Sequence, residues 1–209
     1  MALSLGTETF YKYLTEFGFG NVTGIDFNGE ALGMLVPQSV VRDCDLARIG
    51  FGQTVAVTGV QLACAIAAAV NGGNYYTPHL LKAVVSSGGK VNEYTPLIKY
   101  KPISRQASSS LAAMLEGVVK EGSGKHAYIE GYKVGGKTGT AQKYEDGHVA
   151  AGKYVSSFAG FFPSDNPQYL ALIIVDEPQG TYYGSAVAAP VAREIFEDII
   201  AIKNIQPYE

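Results

Sequence analysis

The stretch Val-Gly-Gly-Lys-Thr-Gly-Thr-Ala-Gln at positions 134–142 places a lysine, a hydroxyl residue and a glycine in succession, at Lys137, Thr138 and Gly139. On an exposed strand this order suits an anionic ligand. The ammonium supplies positive charge, the hydroxyl donates a hydrogen bond, and the missing side chain lets a ligand approach the backbone. The stretch therefore predicts a strand edge that binds an anionic substrate.

Composition limits the class of protein. With 47% hydrophobic and 17% charged residues, the 209-residue chain can fold around a sizeable core, which argues against disorder. The 16 basic and 19 acidic residues form no long run of either sign, so no nucleic-acid partner is expected. No signal peptide follows Met1, and no stretch approaches the ~18 apolar residues that span a bilayer. The sequence predicts a soluble, untargeted chain.

Hydrophobic periodicity and capping residues predict four helices. Thr7 as N-cap and Gly18 as C′ residue bound the first helix. The second is apolar on nearly every face, which indicates burial on several sides. A serine caps the third, and Pro190 lies in the first turn or two of the fourth. The predicted helices cover residues 7–17, 58–70, 108–120 and 186–202.

Alternation and turn residues predict strands late in the chain. The three predicted strands are 132–142, 154–162 and 169–175. Earlier, residues 87–90 form the turn of a hairpin between 80–86 and 91–94, and the glycine-rich stretch 18–35 is predicted as loops with short extended pieces around 24–27. Clustered late strands and a terminal helix able to cover one face predict an α+β fold.

A nucleotide-binding interpretation competes for the same residues. The Walker A pattern is met by Gly-Tyr-Lys-Val-Gly-Gly-Lys-Thr at 131–138. The apolar stretch 170–175 is followed by two acidic residues, Asp176 and Glu177, and so resembles the strand that holds Mg²⁺ in such enzymes. However, a P-loop follows a buried strand and runs into a helix, whereas Gly139 follows Lys-Thr and no helical apolar face develops toward Asp146-Gly147. An NTPase is therefore the weaker hypothesis, which nucleotide-dependent thermal stabilisation would support.

No convincing nucleophile is found. Ser87-Gly-Gly-Lys90 fits Ser-x-x-Lys, but two glycines favour a turn over the helix that would bring the amine to the hydroxyl. Ser123-Gly-Lys125 is interpreted as a flexible approach to the strand. The three histidines and two cysteines have no metal-ligand spacing, so neither a metal nor a cofactor is implied.

Several stretches resemble, in family order, the transpeptidase domain of class B penicillin-binding proteins. The Lys-Thr-Gly signature is typical of penicillin-binding proteins and serine β-lactamases. The likeness extends over essentially the whole chain. The other matching stretches are Phe-Gly-Phe-Gly at 17–20, Thr-Gly-Ile-Asp at 23–26, Ile-Gly-Phe-Gly-Gln at 49–53, Gln-Leu-Ala at 61–63, Asn-Gly-Gly at 71–73, Gly-Ser-Gly-Lys at 122–125, Ser-Phe-Ala-Gly-Phe-Phe-Pro at 157–163 and Tyr-Gly at 183–184.

This resemblance implies roles for individual residues. Lys137 and Thr138 would hold the carboxylate of a D-Ala-D-Ala stem peptide or of a β-lactam. Gly139 would let the ligand lie along the strand, and the backbone N–H of Thr140 would be one of two oxyanion donors. Gln142 would shape the pocket floor. The implied fold is an antiparallel sheet flanked by helices, as in part of a penicillin-binding transpeptidase or serine β-lactamase-like domain.

The resemblance also implies what the chain lacks. The family's Ser-x-x-Lys and Ser-x-Asn motifs would lie upstream of Met1, so residues 1–209 are interpreted as the C-terminal portion of one transpeptidase domain. The parent would be a membrane-anchored peptidoglycan D,D-transpeptidase with this domain outside the cytoplasm. The chain alone is expected to be inactive and to self-associate, since its partner is the missing N-terminal part of its domain. A non-catalytic binding or scaffold module of the same fold remains the alternative.

Overall fold

A computed structural model describes residues 1–145 and 148–208. Asp146 and Gly147, toward which the stretch after the Walker A pattern runs, lie outside the described residues. The chain divides into two compact units, residues 1–69 with 73–104 and residues 70–72 with 105–209. No helix in the described part of the chain is long and apolar enough to cross a membrane.

The first unit contains three helices and two small antiparallel sheets. The helices are α1 (Ala2–Glu16), α2 (Asp43–Ile49) and α3 (Gly59–Val70). Strands β1 (Tyr75–Tyr76) and β4 (Ile98–Tyr100) form one sheet, and β2 (Ala83–Val85) and β3 (Val91–Glu93) form the other. Ser86 N–H donates to Lys90 O at 2.9 Å, which closes the predicted hairpin turn.

Capping residues explain where α1 becomes regular and where it ends. Gly6 has a non-helical backbone (φ 75°), so the regular helix starts next to Thr7, as predicted. Gly18 has φ +85°, and the N–H of Phe19 donates to Leu14 O at 3.0 Å. These features form a Schellman end with glycine in the left-handed conformation, which confirms the predicted C′ residue.

The start of α3 is a capping box. The Gln61 N–H donates to Thr58 Oγ1 at 3.1 Å, and the Thr58 N–H donates to Gln61 Oε1 at 2.9 Å. The buried Gln61 side chain also donates to the carbonyls of Asn21 and Leu32, at 2.7 and 3.0 Å. One glutamine thus begins the helix and holds the preceding glycine-rich loop. From Gln61 to Val70 no residue is fully exposed, which confirms burial on several sides.

The predictions for this unit were incomplete. Residues 18–35 are mostly loops, as predicted, and 24–27 form no strand of a sheet. The Asp26 carboxylate accepts the backbone N–H groups of Leu80 and Leu81, at 2.6 and 2.8 Å. This long-range contact, which holds the loop in place, was not predicted. The short elements α2, β1 and β4 were not predicted, since pieces of this length depend on their neighbours more than on local propensity.

The second unit contains the late sheet and its helices. Strands β5 (Gly135–Glu145), β6 (His148–Phe162) and β7 (Tyr169–Asp176) pair antiparallel in that order. Helix α4 (Arg105–Lys120) precedes them, and α5 (Gly184–Val187) and α6 (Ala189–Lys203) follow. This confirms the predicted α+β class with an antiparallel sheet flanked by helices. The β5–β6 register shifts between Gln142 and Tyr144, where one residue of β5 lies opposite four residues of β6.

Three phenylalanines dominate the core of this unit. Phe158 and Phe162 on β6 and Phe196 on α6 are all 0% exposed, and the rings of Phe162 and Phe196 lie 6.0 Å apart. Val119 at the end of α4 joins the same cluster. Gly136 on β5 has no side chain because a Cβ there would overlap the Phe158 ring. The core therefore determines how closely β5 approaches β6.

The predicted boundaries in this unit needed three corrections. Helix α4 begins at Arg105, so the serines at 108–110 lie inside it, and Ser108 Oγ accepts the Gly72 N–H at 2.9 Å instead of capping the helix. Strand β5 begins at Gly135, not at 132. The predicted final helix is two helices separated at Ala188, with Pro190 in the first turn of the second.

We expect the isolated chain to self-associate through β7. This strand pairs with β6 on one side, and within residues 1–145 and 148–208 no strand pairs with its other side. Residues 169–175 carry no charge that would discourage edge-to-edge pairing. Sedimentation at micromolar concentration should show a dimer or larger species. Ile174→Lys, at a side chain that is 48% exposed, should shift the chain toward monomer.

The matched control for this prediction is Ile202→Lys on α6, at a side chain that is 79% exposed, which should leave the association unchanged. A compact monomer of 22.2 kDa with cooperative unfolding would contradict the prediction.

Candidate functional site

Strand β5 presents the candidate residues on its two faces. In its register with β6, Lys137 lies opposite Ala159 and Gly139 opposite Ser157. Because side chains alternate along a strand, Lys137 and Gly139 belong to one face, and Thr138 and Thr140 belong to the other. The strand therefore places two of the four predicted residues on each face, within one short run of β5.

Lys137 carries a charge that no carboxylate of the described residues neutralises. The side chain is exposed, its Nζ donates to Thr138 O at 2.8 Å, and no ion pair among the described residues includes it. Lys143, on the same strand, differs: its Nζ lies 2.8 Å from Glu177 and 2.9 Å from Asp176. Hydrogen bonds to these carboxylates, of which the one to Glu177 has the larger effect, raise the pKa of Lys143 above its usual range. Only Lys137 of this pair offers its charge to a ligand.

Both threonine hydroxyls have partners from outside the strand. Ser123 Oγ lies 3.3 Å from Thr138 Oγ1, and the Gly184 N–H donates to Thr140 Oγ1 at 3.3 Å. The sequence predicted Ser123 only as part of an approach to the strand, and it predicted no role for Gly184. Both residues lie in stretches that match the family, 122–125 and 183–184, and this was the signal in the sequence. Their hydrogen bonds to Thr138 and Thr140 join residues far apart in the chain, so no local pattern predicts them.

Close packing explains two of the glycines. A Cβ on Gly139 would overlap Ser157 Oγ, and a Cβ on Gly184 would overlap the carbonyl oxygens of Ser157 and Gly139. The turn before α5 can therefore lie directly on β5 and β6. At Gly139 the close atom is a side-chain hydroxyl that can rotate, whereas at Gly184 both close atoms are backbone oxygens, so the packing constraint is stronger at Gly184.

Gln142 lies opposite Tyr154, further along β5, and its side chain is exposed. The Tyr154 and Tyr182 rings stack with centroids 4.0 Å apart, and Tyr183 is 4.6 Å from Tyr182. The hydrogen bond between the Tyr182 and Tyr183 hydroxyls raises the pKa of Tyr182. These three tyrosines stand beside the Thr140 and Gln142 end of the site. The role of Gln142 in a pocket floor stays a prediction.

The structure does not support the nucleotide-binding interpretation. Lys137 and Thr138 lie inside an 11-residue strand, whereas a P-loop places Lys-Thr at the start of a helix whose N–H groups face phosphate. Ser87 and Lys90 lie in the β2–β3 turn, which is not the helical spacing that a Ser-x-x-Lys nucleophile needs. Among the described residues, no group of His, Cys, Asp and Glu side chains is suited to hold a metal ion.

A family model for the penicillin binding protein transpeptidase domain matches residues 1–197. The α+β fold is that of this class, and the chain belongs to the penicillin-binding protein transpeptidase domain family. Stage V sporulation protein D of Bacillus subtilis is 43% identical over 206 residues, which cover 97% of this chain and 32% of that protein. A peptidoglycan D,D-transpeptidase FtsI homolog of Mesostigma viride is 32% identical over 222 residues, which cover 97% of this chain and 37% of that protein.

Solved structures show the same fold. The apo form of penicillin binding protein 3 from Mycobacterium tuberculosis superposes with a TM-score of 0.91 at 29% identity, covering 100% of this chain and 49% of that one. The complex of the same protein with ampicillin superposes with a TM-score of 0.89 at 28% identity, covering 99% of this chain and 48% of that one. The chain thus spans about a third of its curated relatives and about half of these solved chains.

We expect Gly184→Ala to destabilise the second unit. The added methyl would overlap two backbone carbonyls, which cannot move as a side chain can, and overpacking of this kind typically costs about 1–3 kcal/mol. Thermal unfolding should show a lower Tm, and the Thr140 amide resonance should shift. Gly117→Ala on α4 is the control, since nothing lies within 4 Å of its Cβ and alanine favours the helix. Equal Tm values for the two variants would contradict the prediction.

Proposed function

We propose that this chain is the C-terminal part of a peptidoglycan D,D-transpeptidase and supplies its carboxylate-binding strand. Lys137 and Thr138 would bind the terminal carboxylate of a D-Ala-D-Ala stem peptide, or that of a β-lactam. The observation that carries the proposal is the Lys137 ammonium, exposed on β5 without a carboxylate partner among the described residues and followed by two threonine hydroxyls. Family membership and the relatives' names support this choice of substrate class.

A hydrogen bond at Thr138 supports the oxyanion role proposed for the Thr140 N–H. The Thr138 carbonyl oxygen accepts a hydrogen bond from the Lys137 ammonium, so it is accessible at the strand edge. Alternate residues of a strand direct their backbone groups to the same edge, so the Thr140 N–H is expected there too. A donor in this position would stabilise the charge that develops on the substrate carbonyl oxygen during acyl transfer.

The reaction itself needs groups that residues 1–209 do not supply. In the proposed mechanism, a serine outside these residues attacks the stem-peptide carbonyl, D-alanine leaves, and an amine of a neighbouring strand takes the acyl group. The serine's own N–H would be the second oxyanion donor. Such a reaction takes place where peptidoglycan is assembled, so we propose an extracytoplasmic position for this domain in a membrane-anchored parent.

One observation favours a second candidate for the chain by itself. The only Ser-x-x-Lys in the sequence, Ser87 to Lys90, lies in a hairpin turn. A chain that keeps the carboxylate-binding strand without a nucleophile could serve as a non-catalytic binding or scaffold module of the same fold. This candidate predicts binding of stem peptide without acylation, which separates it from a complete transpeptidase.

We predict that the 209-residue chain forms no covalent adduct with a β-lactam. The attacking serine and its lysine are absent from the chain, so the lactam ring has no nucleophile to open it. Incubation with a fluorescent penicillin, followed by denaturing electrophoresis and intact-mass measurement, should show unmodified protein. Stoichiometric labelling that maps to any serine of this chain would contradict the prediction.

We predict that Lys137→Ala removes most of the acylation activity of the catalytically complete protein and leaves its melting temperature unchanged. A chimera suffices for the measurement: the upstream part of the Bacillus subtilis relative joined to this chain in place of its own matching residues. Loss of one charge-assisted contact in such a site costs on the order of 2–4 kcal/mol of transition-state stabilisation. Acylation rates with a fluorescent penicillin would report this loss.

The control for this prediction is Lys101→Ala, at an exposed lysine outside β5, which should acylate at the unmodified rate. Near-normal acylation by the Lys137 variant would count against the proposed function, provided that the unmodified chimera is itself acylated.

A further inference from the structure

The segment between α4 and β5 holds a serine beside the proposed carboxylate site. Ser123 Oγ lies 3.3 Å from Thr138 Oγ1, although the two residues are 15 positions apart. The flanking glycines hold this serine close to the end of α4. The N–H groups of Gly122 and Gly124 both donate to Val118 O, at 3.1 and 3.0 Å, and a Cβ on either glycine would press against that same carbonyl.

A second contact fixes the same segment from the other side. His126 Nδ1 lies 2.7 Å from the Ser185 carbonyl oxygen. A carbonyl oxygen only accepts, so the Nδ1–H must be the donor. Ser185 adjoins Gly184, whose N–H donates to Thr140 Oγ1. One short segment thus contacts the Thr138 hydroxyl directly and the turn that holds the Thr140 hydroxyl.

The chemistry of a hydroxyl gives these contacts a direction. A threonine hydroxyl has one proton to donate and can accept through its lone pairs. The Gly184 N–H can only donate, so Thr140 Oγ1 accepts from it and keeps its own proton for another acceptor. If the Ser123 hydroxyl donates to Thr138 Oγ1, the Thr138 hydroxyl likewise keeps its own proton for another acceptor. A chain of hydrogen bonds in one direction also strengthens each member.

We propose that Ser123 is a positioning residue for carboxylate recognition: its hydroxyl donates to Thr138 Oγ1 and thereby directs the Thr138 proton toward the ligand's carboxylate. This inference rests on the proposed function of β5. Because Ser123 acts through Thr138, it should raise the affinity only of ligands that present an anion to Thr138.

The test uses the 209-residue chain, labelled with ¹⁵N. N-acetyl-D-Ala-D-Ala is titrated while the backbone amides of residues 137–140 are followed, and its C-terminal amide serves as the uncharged comparison ligand. Ser123→Ala should weaken binding of the carboxylate ligand about five- to tenfold, as expected for one hydrogen bond, and should not change binding of the amide. Ser123→Thr, which keeps the hydroxyl, should bind like the unmodified chain.

A double-mutant cycle separates positioning from a general structural role. In a Thr138→Val background, Ser123→Ala should cause no further loss, because the group it directs is already gone. Equal weakening toward both ligands, full additivity with Thr138→Val, or unchanged binding by Ser123→Ala would overturn the inference while the proposed function stands. If the unmodified chain shows no carboxylate-dependent shifts at 137–140, the proposed function of this chain fails and the inference fails with it.

Discussion

The Phe158 ring lies fully buried against Gly136, and this contact determines where β5 can be. A side chain at position 136 would push the strand away from β6. The same constraint recurs at Gly139 and Gly184, where backbone and Ser157 occupy the space of a Cβ. Close approach at these positions brings the Gly184 N–H within hydrogen-bond reach of Thr140 Oγ1. The hydrophobic cluster and the site are therefore parts of one packing arrangement.

Charge is distributed unequally along β5, and this inequality gives the site its chemistry. Lys143 forms ion pairs with Asp176 and Glu177, so its charge is neutralised near the end of the sheet. Lys137 forms none among the residues that the structure describes, and its ammonium reaches only a backbone carbonyl of its own strand. An exposed ion pair contributes little to stability, but an unpaired ammonium beside hydroxyl donors is well suited to a carboxylate.

The sequence predicted elements whose determinants are local. Thr58 and Gln61 form a reciprocal cap three residues apart, and the glycines at 88–89 produce the predicted turn. Lys137 to Thr140 could be predicted to lie on one strand because they are consecutive in the sequence. Features set by distant contacts were missed. Ser108 Oγ accepts a hydrogen bond from Gly72, 36 positions away, and Thr140 Oγ1 accepts one from Gly184, 44 positions away. No periodicity or capping rule contains such pairs, so only the folded chain reveals them.

The register of the β5–β6 hairpin shifts beyond the pair Gln142–Tyr154, because the next pair is Tyr144–Val149. One residue of β5 therefore lies opposite four residues of β6, and the three extra residues belong to β6. Gly152, one of these four, has φ +78°, a conformation that glycine adopts without steric cost. Because β5 itself has no extra residue, its side chains keep a single alternation along the strand. A change of length in this stretch of β6 would therefore leave the faces of β5, and the position of its first lysine, as they are.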